Sequence, residues 1–398
     1  MLRIFKTILA NSFYLVPLQI SEVLQGPGSI KKLPALIKSK GFRKPLVVTD
    51  AMLIKLNLLK SLFAEFDAIA MAYAVYDGVQ PDPTIDNVEE AYAIYKKNGC
   101  DSIIGFGGGS AMDTAKTVAA RVAKPNLTTD RLGGYMKVML PIPKKPPRIF
   151  AVPTTAGTGA ETTAAAVISD PKRSAKYTVN DFLIHPHYIV LDPELTTGLP
   201  PFFTAITAMD ALSHSTEGYV GGARCAYTNS YSEKAVTLIF ENIDAVYKNG
   251  KDIEARSRML LASYYGGLVL NRALTGYVHT FAHKIGALYH LPHGRVIGAV
   301  LPLVFEYYGK TAARRLARLA DIINVTKPGM DDAQKAAAFI GAIRGLNKKY
   351  GIGETIPELR EEDFPAIARS IHLECIPYPV PRIMDDNDVY SILKRLLA

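Results

Sequence analysis

Short apolar runs alternate with amphipathic stretches through the first half of the chain. Residues 45–50 (Pro-Leu-Val-Val-Thr-Asp) read as a buried strand, and residues 70–76 (Ala-Met-Ala-Tyr-Ala-Val-Tyr) as another. Between them Leu53, Leu56, Leu59, Leu62 and Phe63 recur at helical spacing, and residues 84–98 repeat that period. Residues 102–106, 149–152 and 188–191 are further apolar runs of strand length. Strands separated by helices predict a parallel sheet covered on both faces, the arrangement of Rossmann-like nucleotide-binding domains. The Pro- and Lys-rich segment 125–148 reads as a surface excursion between two strands.

The period changes after Asp192-Pro193-Glu194. Residues 205–218, 230–248, 253–270 and 276–288 carry apolar side chains at three- and four-residue steps, with hardly a strand candidate among them. The Thr-Thr-Gly-Leu-Pro-Pro stretch at 196–201 interrupts both element types. The expected architecture is therefore an α/β domain over 1–195 and an all-helical domain over 196–398.

A chain of 398 residues is long enough for two such cores. Its 48% hydrophobic and 21% charged residues are ordinary for a globular protein. The net charge of +9 is spread over scattered Lys and Arg residues. No aromatic-basic interleaving accompanies it, so a nucleic-acid partner is not expected. Cys100, Cys225 and Cys375 lie far apart and form neither a CxxC pair nor a disulfide framework, which fits a reducing cytoplasm. Arg3 and Lys6 precede a short apolar run broken by Asn11 and Ser12, a poor signal peptide and too short for a membrane span.

Candidate chemistry begins where the strand at 102–106 meets Gly107-Gly108-Gly109-Ser110, with a helix expected from about Ala111. Glycines allow main-chain N–H groups to approach an anion, and a helix N-terminus adds unpaired donors and its dipole. Ser110 could cap that helix or reach a phosphate. The loop lacks the Gly-Lys-Ser/Thr of a P-loop and the usual Rossmann spacing, so a plain tight turn is an equal reading by itself. A second loop, Val-Pro-Thr-Thr-Ala-Gly-Thr-Gly-Ala-Glu at 152–161, follows another strand and changes that balance. Two small-residue loops at neighbouring strand ends is where open α/β sheets bind nucleotides.

The helical half holds a different cluster. Asp210 and His214 stand four apart on one helix face, and His279 and His283 repeat that spacing. His290 and His293 follow; His293 comes after Pro292, so it is expected just beyond a helix end. A carboxylate with several imidazoles suits Fe²⁺ or Zn²⁺, and not the all-oxygen preference of Mg²⁺ or Ca²⁺.

Taken in order, these motifs resemble the iron-containing (group III) alcohol dehydrogenases over nearly the whole chain, from about Phe13 onward. The resemblance rests on Val48-Thr49-Asp50, Asp77 to Thr84, Gly107-Gly108-Gly109-Ser110 with Asp113 and Lys116, and Pro153 to Glu161. It continues through Asp210 to His214, His279 to His283, and Pro292-His293-Gly294. It implies a metal held by Asp210, His214, His279 and His293, with His283 left as a proton-relay candidate. It also implies NAD rather than NADP, a small alcohol or aldehyde substrate, and a homodimer. Gly108, Gly109 and Ser110 would hold the pyrophosphate, with Asp113 on the following turn. Thr154, Thr155 and Thr158 would contact the rest of the cofactor, Val167, Lys176 and Leu195 would line the cleft, and Asp50 would receive the adenosine ribose. Asp82 stands where an Asn is common, and Arg272, His290 and the Tyr-Pro-Val-Pro-Arg at 378–382 also depart from the family pattern. The rivals are a sugar-phosphate cyclase of the dehydroquinate-synthase type and a non-catalytic metal- or nucleotide-binding oligomer.

Overall fold

A computed structural model describes residues 20–141, 144–173 and 175–397. The segment 1–19, read above for a signal peptide, lies outside them. The described chain divides after Gly198 into two compact units.

The first unit contains strands β1 (Glu22–Gln25), β2 (Pro45–Val48), β3 (Ala74–Tyr76), β4 (Ser102–Gly107), β5 (Gly134–Tyr135), β6 (Arg148–Pro153), β7 (Ala165–Asp170), β8 (Ala175–Asn180) and β9 (Tyr188–Leu191). Its helices are α1 (Leu33–Ser39), α2 (Ala51–Lys55), α3 (Lys60–Ala68), α4 (Ile85–Asn98) and α5 (Gly109–Ala123). Six strands form one sheet in the order β1-β9-β6-β4-β2-β3, every pairing parallel. The expected α/β fold with a parallel sheet is the fold observed. One face packs α4 and α5, through Val88, Tyr92, Ala115 and Val118. The other packs α1 and α3, through Leu33, Ile37, Leu62 and Phe66.

After β2 the chain places β3 on one side and then crosses to β4 on the other. This reversal opens a crevice at the carboxyl ends of β2 and β4, the usual ligand position in such sheets. The register pairs Val48 with Gly105 and Gly107 with Pro153, so Asp50, the glycine loop and Thr154 emerge side by side.

Three local expectations needed correction. The single helix expected from Leu53 to Phe63 is two helices, because Asn57 adopts a left-handed φ of 57° that ends α2. The strand expected over 70–76 is limited to Ala74–Tyr76, and Ala70 turns with a φ of 51°. Segment 125–148 is more than a surface excursion. Its β5 joins a second, three-stranded sheet with β8 and β7, and Leu132 and Val138 are buried against Ala166, Val179 and Ile184.

The second unit is helical among its described residues. It comprises α6 (Pro201–Val220), α7 (Ala226–Lys248), α8 (Ile253–Ala273), α9 (Tyr277–Tyr289), α10 (His293–Tyr308), α11 (Ala313–Ile322), α12 (Asp332–Lys349), α13 (Phe364–Glu374) and α14 (Asp386–Leu396). Helix α6 is buried on almost every side from Thr204 to Val220, with α7, α8 and α10 packed around it. No described helix is long and apolar enough to cross a membrane.

Candidate active site

A helix buried all round must satisfy its polar side chains internally. On α6 the hydroxyls of Ser213, Ser215 and Thr216 do so locally, donating to the carbonyls of Asp210, Ala211 and Leu212. Asp210, His214 and Glu217 remain, at i, i+4 and i+7, on one stripe of the helix. Each finds its partners on other elements.

Asp210 Oδ1 lies 3.7 Å from His214 Nε2, 3.6 Å from His279 Nε2 and 3.6 Å from His293 Nε2. His279 lies in the first turn of α9, while His293 is the first residue of α10. His293 thus lies beyond the end of α9, as expected, and is fixed by a helix of its own. Gly294 beside it is sterically required: a Cβ there would come within 2.1 Å of the Ile206 carbonyl oxygen on α6. His290, the unexpected histidine between these elements, is the left-handed C-cap of α9, with a φ of 54°.

Glu217 sets the chemistry of His279. Its Oε2 accepts from His279 Nδ1 at 2.5 Å and its Oε1 accepts from the Val278 N–H at 2.9 Å. With Nδ1 protonated for Glu217, a neutral His279 presents a lone pair at Nε2. Asp210 Oδ1 faces that lone pair, and both atoms are buried without a hydrogen-bond partner. Two acceptors facing each other in a dry site require a cation between them, a proton on Nε2 or a metal ion in its place. Bonds of 2.0–2.2 Å in a tetrahedral metal site hold ligand atoms about 3.4 Å apart, close to the spacings around Asp210 Oδ1. The residues present therefore fit a divalent transition metal.

The electrostatics agree. Burial works against the Asp210 charge, but His214, His279 and His293 hold its carboxyl well below the usual carboxylate range. Burial also opposes a charged His279, yet Asp210 and Glu217 override it and raise its pKa to about 9.

His283 lies outside this knot of short distances. Its ring stacks on His293 with centroids 5.2 Å apart, and its Nδ1 is 2.5 Å from Glu374 Oε1 on α13. The side chains of His283 and His293 are each 37% exposed, against 3% for His279 and 5% for His214, so the site has a dry side and an open one. Neither Glu217 nor Glu374 was anticipated. Glu217 had a signal, its position one turn beyond His214; Glu374 had none, since its partner is 91 residues away.

In the first unit, α5 begins at Gly109 with Gly108 as N-cap, so Ser110 is inside the first turn and does not cap it. The threonine loop lies directly against these glycines. A Cβ on Gly108 would meet Thr155 Oγ1 at 3.5 Å, one on Gly109 would meet Thr158 Cγ2 at 3.1 Å, and the Thr154 N–H donates to the Gly107 carbonyl. Asp50 Oδ1 caps α2 by accepting from the Leu53 N–H, while Oδ2 lies on the Gly107 side. Asp113 Oδ2 accepts from the Val167 N–H, and burial pushes its carboxyl up to about 6 against the pull of Lys116. Leu195 is buried in the core below the sheet, and Lys176 is paired with Asp82 at 2.6 Å.

Both halves of the chain match family models. Residues 21–193 match "Iron-containing alcohol dehydrogenase", and residues 204–397 match "Fe-containing alcohol dehydrogenase family, C-terminal". The chain belongs to the iron-containing alcohol dehydrogenase family. It is 32% identical over 391 residues to the NAD-dependent methanol dehydrogenase of Bacillus methanolicus, covering 97% of this chain and 100% of that one. Among solved structures it is similar to a 1,3-propanediol oxidoreductase, with a TM-score of 0.91 and 28% identity over 96% of this chain and 99% of the other. It is likewise similar to an alcohol dehydrogenase from Oenococcus oeni, with a TM-score of 0.90 and 33% identity over 95% of this chain and 99% of the other. As a member of this family the chain is an oxidoreductase, and the family's iron suits the carboxylate and imidazole donors around Asp210.

Proposed function

We propose that this dehydrogenase interconverts a small primary or secondary alcohol with its aldehyde or ketone, using NAD bound within residues 1–195 and a metal bound within 196–398. The observation that carries the reading is the pair of buried, unpartnered acceptors, Asp210 Oδ1 and His279 Nε2, with two further imidazoles at the same oxygen. Asp210, His214, His279 and His293 would hold Fe²⁺, or Zn²⁺ with the same donors.

When bound, the metal supplies Lewis acidity that acidifies an alcohol hydroxyl, and NAD⁺ supplies the hydride acceptor. Glu217 keeps the proton of His279 on Nδ1, so that Nε2 stays available. The burial of Asp210, His214 and His279 excludes water from one side of the site. On the open side His283, anchored through Nδ1 by Glu374, has Nε2 left to take the hydroxyl proton outward. The first-turn amides of α5 at Gly109 and Ser110 would receive the pyrophosphate. Asp50 Oδ2 would accept from the adenosine ribose hydroxyls and repel a 2′-phosphate. For the reaction to balance, the carbinol hydrogen would pass with its electron pair to bound NAD⁺, the hydroxyl proton would leave through His283, and the C–O bond would become the carbonyl.

The sugar-phosphate cyclase alternative is not favoured, since both halves match the dehydrogenase family. A cyclase returns its hydride, so net NADH formed from a simple alcohol by metal-loaded enzyme tests the reading directly. His279→Ala is expected to lose metal and activity together; stoichiometric metal in that variant would overturn the ligand assignment.

A further inference from the structure

Asp82 stands out in the first unit because it pairs with Lys176, the lysine that the family resemblance places in the cofactor cleft. Lys176 Nζ lies 2.6 Å from Asp82 Oδ1, an ion pair spanning 94 residues of sequence. The surrounding backbone holds the two side chains together. The Ser169 N–H on β7 donates to the Pro83 carbonyl at 2.8 Å, and Thr84 forms a bridge with Ser169. Ser169 is in turn the cross-strand partner of Lys176 on β8. On the far side of the loop, Thr84 is locked by a reciprocal cap with Asn87 at the start of α4. Asp82 is therefore presented to Lys176 by a loop pinned at both Pro83 and Thr84. The same hairpin carries Val167, whose N–H donates to Asp113 on the second turn of α5, the helix proposed above to receive the pyrophosphate.

We propose that Asp82 restrains the charge of Lys176, so that this lysine acts toward a bound dinucleotide as a hydrogen-bond donor rather than as a free cation. The proposal rests on the place that the family resemblance implies for Lys176, lining the cofactor cleft. NADH carries two phosphate charges, which a free ammonium attracts more strongly than one whose charge a carboxylate offsets. Removing that carboxylate charge should thus tighten dinucleotide binding. The Lys176 and Asp82 side chains are 37% and 53% exposed, so the effect is that of a solvent-screened pair.

The test is equilibrium titration of the metal-loaded enzyme with NADH, followed by nucleotide fluorescence without turnover. Asp82→Asn is the informative variant: Asp82 has a left-handed φ of 61°, a conformation Asn tolerates as well as Asp, so charge changes while the turn is kept. Asp82→Asn is expected to bind NADH about two- to fivefold more tightly at low salt, with the gain fading at high salt. Asp82→Asn/Lys176→Met should bind as Lys176→Met alone does. Equal or weaker binding by Asp82→Asn, or a gain that survives in the Lys176→Met background, would overturn the proposal. If Lys176→Met binds NADH as the unaltered enzyme does, the cofactor assignment of Lys176 fails first and the proposal falls with it.

Discussion

Glu217 offers the sharpest test of how the metal centre is built, because a single atom exchange reverses its effect on His279. In Glu217→Gln one oxygen becomes an NH₂ group of nearly the same size. If the amide oxygen stays on the Val278 N–H, the NH₂ meets His279 Nδ1, and the imidazole must move its proton to Nε2, where it can no longer bind metal. If the amide flips, two donors face each other at Val278. The side chain is 1% exposed, so no water relieves either arrangement. A buried donor left without an acceptor costs about 1–3 kcal/mol. Loss of a carboxylate that orients a metal-binding histidine typically weakens metal affinity by about 10- to 100-fold, equivalent to about 1.4–2.7 kcal/mol. The two magnitudes agree, so Glu217→Gln should bind metal about 10- to 100-fold more weakly. Chelator competition on folded protein measures this, with activity against free metal concentration as a second readout. Activity should return largely at saturating metal, since no donor atom is removed. Metal affinity within twofold of the unaltered enzyme would refute the tautomer argument.

Three further outcomes follow from the same geometry. Asp50→Asn keeps the cap on α2, because Asn and Asp cap equally well, but removes the charge. The ratio of kcat/KM for NADP over NAD should then rise by about tenfold or more with Tm unchanged, whereas Asp50→Ala should also cost about 1 kcal/mol of stability; unchanged cofactor preference in both would remove Asp50 from the ribose site. His283→Ala should lower kcat by about 10²- to 10⁴-fold while retaining metal, with a smaller loss for Glu374→Gln; metal lost from His283→Ala would make it a ligand instead. In metal-free protein the His279 pKa is raised from 6.5 to about 9, so a metal must displace a proton at lower pH. Apparent metal affinity should therefore climb about tenfold per pH unit toward about 9 and then level off, and a flat profile in competition titrations would show that His279 is not protonated. The sign for stability is opposite: that raised pKa stabilises the metal-free fold below about 6.5, and the contribution is lost as pH rises through about 9.

What the sequence disclosed tracks how far each feature depends on its own neighbours along the chain. The central strands were legible because Leu46, Val47, Val48, Ile103 and Ile104 are buried on both faces of a parallel sheet, which leaves an unbroken apolar run. The β7–β8 hairpin was not, because its strands mix Ile168 and Val179 with Ser169, Asp170 and Lys176 and lie in a small second sheet with only partial cover. Asp210 and His214 declared themselves by helical spacing, as Glu217 could have done at the next turn of the same stripe. Glu374 could not, because its bond to His283 exists only once α13 has packed on α9. The same distinction applies to Asp50 and Asp82. Asp50 is a cap in local terms, and only the parallel register sets its second oxygen beside Gly107, the place from which a ribose contact is proposed. Asp82 reads as a bare substitution in a turn until the Pro83–Ser169 bond brings it to Lys176.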